Sequence, residues 1–114
     1  MNAFTTAYLE CALWSSTDNE GNPLDDNFGI EDISEGSIQE ATADCDAFQA
    51  DNALLLEGMS DEQAGHDFWL TRNRHGAGFW DHGLGETGRK LTDSAHSYGS
   101  SDVIVGNDGK IYLS

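Results

Sequence analysis

The sequence predicts a small α+β domain, with helices packed on one face of a small antiparallel sheet in the order α-α-α-β-β-α-β-β. Three observations carry this expectation. Apolar residues recur at spacings of three and four through the first half of the chain. That period gives way to aromatic-rich runs between residues 68 and 81. The chain then closes on two β-branched runs around Gly106-Asn107-Asp108-Gly109. A chain of 114 residues has room for one core, so residues 1–114 are read as a single domain.

The elements follow in order. Phe4, Ala7, Tyr8, Cys11 and Trp14 form one helical stripe over residues 3–15. Ser15 to Pro23 is dense in turn formers and, with the acidic run to Asp32, predicts a loop over about 16–32. Asp32 followed by Glu35 suits a capping box. After it Ile38, Ala41, Cys45, Phe48, Leu55 and Met59 predict a helix over 35–57, with Asn52 as the polar member of its stripe. Ser60 with Gln63 is a second capping box, opening a short turn across 61–65. Phe68 to Arg72 and Ala77 to Asp81 then predict a β-hairpin around Asn73-Arg74-His75-Gly76. The hairpin is preferred to a helix continuing through Leu70, because Gly76 and Gly78 weaken any helix beyond that point. Leu84, Leu91, Ala95 and Tyr98 share a face of a helix over 85–98 with Gly99 as its C′ residue. Val103 to Val105 and Lys110 to Leu113 form the closing hairpin.

Charge is the strongest functional signal. The chain carries 21 acidic and five basic residues, a formal net charge of −16, and residues 1–67 hold sixteen carboxylates with no Lys or Arg. Such a field repels phosphates and anionic lipid, which disfavours direct binding to nucleic acid or to a membrane, and it favours a partner with a basic surface. On the second helix Glu40, Asp44 and Asp51 fall on one line with no basic residue at i+4. Residues at i and i+4 lie about 6 Å apart, near the spacing of phosphates along a strand. With Asp25, Asp26, Glu31 and Asp32 from the acidic loop, these are the expected partner-binding residues.

The segment from His66 to His82 holds the other candidates. Trp69, Arg72, Arg74, His75 and Trp80 on the expected hairpin form an alternative site, a platform that stacks on single-stranded bases, as a replication or recombination accessory would. The competing structural reading places Phe68, Leu70 and Phe79 in the core. His66, His75 and His82 with Asp67 or Asp81 supply imidazole and carboxylate, but their spacing matches no metal motif, so neither a metal nor a cofactor is expected. No nucleophile elbow or zincin helix is present, and catalysis is not expected. Cys11 and Cys45 lie on amphipathic helices and read as reduced, buried thiols; a bridge between them would join two packed helices, but the expected reducing compartment disfavours it. No signal sequence or bilayer-spanning run occurs in the sequence, so neither secretion nor membrane insertion is expected.

The run from His66 to Asp81, the opening Ala7-Tyr8-Leu9-Glu10-Cys11-Ala12-Leu13-Trp14-Ser15-Ser16 and the stretch Gly21-Asn22-Pro23-Leu24-Asp25 together resemble a family of small proteins encoded by tailed bacteriophages. The resemblance spans nearly the whole chain. It implies a viral protein made in the cytoplasm of a host bacterium, where an early gene product acts on host machinery or defence. It carries no catalytic or binding residues with it. The expected function is therefore that of an acidic inhibitor or modulator of a host nucleic-acid-binding protein, by mimicry of DNA, with restriction and CRISPR systems among the targets.

Overall fold

The computed structural model describes residues 1–114, and its four helices and one antiparallel hairpin make it α+β, as the periodicities predict. Helix α1, Ala3–Trp14, starts at Asn2, whose side chain accepts from Thr5 N at 2.9 Å. The expected stripe of Phe4, Ala7, Tyr8 and Cys11 is buried, but so are Thr5, Leu9, Ala12 and Leu13 on the other sides. α1 is thus a central helix wrapped by the rest. Trp14, expected on the buried stripe, is instead 47% exposed.

The acidic stretch 16–32 is more ordered than a loop. Thr17 and Pro23 form an isolated bridge, and 3-10 turns span Leu24–Asp26 and Ile30–Asp32, with Leu24 fully buried. Helix α2 runs over Glu35–Asp51, and its N-cap is Ser34, which accepts from Ser37 N at 3.2 Å. Asp32, the expected cap, closes the preceding turn by accepting from Gly29 N at 2.8 Å. The helix ends short of the expected residue 57 because Asn52 caps it. The Asn52 amide donates to Phe48 O and to Ser94 Oγ on a later helix, both at 2.9 Å. Leu55, Leu56 and Met59 then pack against the core from a turn.

The larger correction is at α3, Asp61–Arg72. Ser60 caps it as expected, accepting from Gln63 N at 3.1 Å, but the helix continues to Arg72 and the hairpin over 68–81 does not form. Buried Ala64, Gly65, Phe68, Trp69 and Arg72 keep helical spacing, and packing of that face overrides the β preference of the aromatics. Gly65 lets α1 and α3 approach closely: a Cβ there would run into the Phe4 carbonyl oxygen. After the Asn73 cap the chain turns back through a 3-10 turn, Phe79–Asp81, which returns Phe79 to the core.

Helix α4, Glu86–His96, buries Gly88, Leu91 and Ala95, and Gly99 follows with φ 74°. Strands β1, Val103–Val105, and β2, Ile111–Leu113, pair antiparallel with Ile104 opposite Tyr112, as the closing turn predicts. Ser34 N donates to Ile111 O and Leu113 N to Ser37 Oγ, at 2.8 and 2.9 Å, which fastens β2 to the start of α2. The centre of the core is aromatic. Phe68 stacks on Phe48 at 4.2 Å between centroids and meets Tyr8 at 5.3 Å and Tyr98 at 5.2 Å. No helix is long and apolar enough to cross a membrane.

Candidate functional site

The segment from His66 to His82 is mostly architectural. Trp69 is 2% exposed and its indole donates to Ser15 Oγ at 2.9 Å. Arg72 is 6% exposed. It donates through Nε to Gly99 O at 2.9 Å, through Nη1 to Tyr8 Oη and Asp44 Oδ2, each at 2.9 Å, and through Nη2 to Tyr98 O at 3.1 Å. A guanidinium fork satisfies four acceptors from three parts of the chain at once. Its pKa is pushed up by its neighbours: burial opposes the charge, but Tyr8 and Asp44 outweigh it. Neither Trp69 nor Arg72 can stack on a base, and with the hairpin absent the expected platform is lost. Arg74, His75 and Trp80 remain on the surface.

The histidines do not gather into one set, and no three metal-ligating side chains come together. His66 lies in a cleft with Glu10 and Glu62, and His75 lines another with Ser15 and Asp102. His82 meets buried Asp67. Its Nε2 is 3.1 Å from Oδ1 in hydrogen-bond geometry and 2.9 Å from Oδ2 without it, which leaves Oδ2 with no hydrogen-bond partner. Gln63 also donates to Oδ1 at 3.1 Å. Burial raises the Asp67 pKa against these hydrogen bonds, and the hydrogen bond to Asp67 raises that of His82. We place the shared proton on His82, the half-exposed member, whose charge water can still solvate. The cysteine thiols are free and buried, and burial pushes both to about 12.

The acidic residues divide by their surroundings. Asp44 is consumed by Arg72, which breaks the α2 line at its middle; Glu40 and Asp51 stay exposed, eleven positions or roughly 16 Å apart along the helix. Asp32 is committed to the Gly29 amide. Asp25, Asp26 and Glu31 are exposed on or between the 3-10 turns. Asp25 and Glu31 share one cleft with Glu10, Leu13, Trp14 and Phe28. Of the sixteen carboxylates up to Asp67, Asp44 alone pairs with an Arg or Lys, because Arg89 pairs within its own helix, to Glu86 and Asp93. Sequence reasoning missed Glu10 and Trp14 as surface residues. The signal was present in their spacing, since i and i+4 on a helix share a face. Comparison with protein-family models, curated proteins and solved structures finds no match for this chain.

Proposed function

We propose that the protein is an acidic binding protein that occupies the basic surface of a host nucleic-acid-binding protein and so inhibits or modulates it, in a phage-infected bacterium. The observation that carries this reading is how little internal neutralisation there is. Asp44 is held by Arg72 and Asp67 by His82, but the other fourteen of the sixteen carboxylates up to Asp67 have no cationic partner in the fold, and most are exposed. Unpaired like charges cost stability, and a basic partner is what would offset that cost. The break at Asp44 favours mimicry of the charge of nucleic acid over mimicry of its regular spacing.

The test is capture from bacterial lysate on immobilised full-length protein, at about 50 and 150 mM salt. DNA- or RNA-binding proteins are expected, released by duplex DNA as a competitor and by higher salt. Recovery of none at either salt concentration would sink the reading.

A further inference from the structure

We propose that the cleft at the C-terminal end of α1 receives an arginine side chain from a basic segment of a partner protein. The inference rests on the acidic-binding reading above and gives that surface a centre. The cleft has a volume of about 320 Å³ and lies between α1 and the two 3-10 turns.

Three features specify its occupant. Its wall is apolar on the open side of the helix: Trp14 is 47% exposed at the end of a largely buried α1, beside half-buried Phe28 and Ile30. An exposed indole face attracts a cation. Glu10, Asp25 and Glu31 surround it, and none of them has a cationic partner within the chain. The last turn of α1 also carries no basic residue to offset the negative end of its dipole. Negative charge around an aromatic surface selects arginine over lysine, because a guanidinium is planar, weakly hydrated, stacks on indole and binds carboxylates as a fork. Trp and Arg are among the residues that most often carry the binding energy of protein interfaces. The same charges repel nucleic acid.

The test is an NMR titration of the 15N-labelled full chain with nona-arginine and nona-lysine peptides at about 150 mM salt. The Trp14 indole N–H and the Gly29 and Ile30 amides should shift most, and the arginine peptide should bind about 2–5-fold tighter, the upper end being the ratio that about 1 kcal/mol of cation–π contact gives. Trp14→Leu should remove that preference, and the exposed pair Asp25→Asn with Glu31→Gln should weaken both peptides; circular dichroism checks that each variant folds. Equal binding of both peptides with shifts spread over the acidic surface would overturn the cleft and leave the acidic-binding reading standing. No binding of either peptide at about 20 mM salt would overturn both. The same Trp14 shifts on concentrating the protein alone would identify a second copy as the occupant, through Arg74 or Arg89, and would also overturn the proposal.

Discussion

Arg72 is the residue on which most depends. Its guanidinium ties α3 to Tyr8 on α1, Asp44 on α2 and the backbone carbonyls that follow α4. Arg72→Ala would leave Asp44, Tyr8 Oη and two carbonyls without their donor. It is expected to lower stability by about 2–3 kcal/mol, the cost of leaving interior acceptors unsatisfied, since water can solvate half-exposed Asp44. Arg72→Lys should recover only part of this, since an ammonium cannot present the fork. Asp44→Asn, at a half-exposed partner, should cost about 1 kcal/mol, whereas Glu40→Gln and Asp51→Asn should change stability by less than about 0.5 kcal/mol. Urea melts of the five variants check the ranking. If Asp44→Asn matches Glu40→Gln, the assignment of Asp44 to the fold fails.

His82 gives a pH dependence of known sign. Its pKa is raised by Asp67, so the native state holds that proton more tightly than the unfolded chain. The stabilisation is complete below the ordinary histidine value of about 6.5 and is lost as pH rises through the higher folded value. The raised pKa of Asp67 acts in the same direction from the carboxylate range upward. Wild type should exceed His82→Gln by about 1 kcal/mol near pH 6, a figure discounted for the exposure of the imidazole, and the gap should close as pH rises through the raised folded value. A gap that stays constant with pH would show that the imidazole bonds Asp67 only as a neutral group.

Among the elements, α3 has the strictest requirements. Gly65 touches the backbone of α1, with Ala7 Cβ also close, so Gly65→Ala cannot be relieved by a rotamer change. Its helix propensity would improve by up to about 1 kcal/mol, yet the separation of two helices forced by backbone contact should outweigh that gain and give a net loss of about 1–3 kcal/mol. Gly78, at φ 151°, plays the same part for the returning turn. A Cβ there would meet Thr71 Oγ1, which accepts from Phe79 N at 3.1 Å. Thermal melts of Gly65→Ala check the first claim, and a raised melting temperature would show that α1 and α3 are not held at this distance.

At the scale of the molecule, the charge acts on the whole body. Principal extents of 43 × 25 × 22 Å hold the acidic half within a few Debye lengths, about 8–10 Å at physiological salt. Repulsion is therefore shared across the surface, and salt relieves it. Melting temperature should rise between about 20 and 500 mM sodium chloride; each kcal/mol moves it by about 4–8 °C in a domain near this size. A fold held mainly by ion pairs between its acidic and basic halves would weaken instead. Arg72 with Asp44 is the only Arg or Lys pair of that kind, joined by His82 with Asp67 when the imidazole is charged, so a lower melting temperature at high salt would show that ion pairs outweigh the repulsion. A basic partner should replace the salt, raising the melting temperature at low ionic strength with a gain that shrinks as salt is added.

The sequence alone determined the α+β class, the positions of α1, α2, α4 and the closing hairpin, the Ser60 cap and the imbalance of charge. These follow from local chemistry: periodicity, turn residues and composition are complete within a few positions of the chain. Tertiary structure decided what depends on distant partners. Phe68 and Trp69 are helical because Phe48, Tyr8 and Ser15 receive them, against their own β preference. α2 stops where Asn52 finds Ser94, and Asp44 leaves the acidic surface because Arg72, 28 positions away, claims it. Trp14 faces outward with Glu10 because the rest of the molecule covers the other sides of α1. Each contact joins residues far apart in sequence, and no local pattern records the energy of bringing them together.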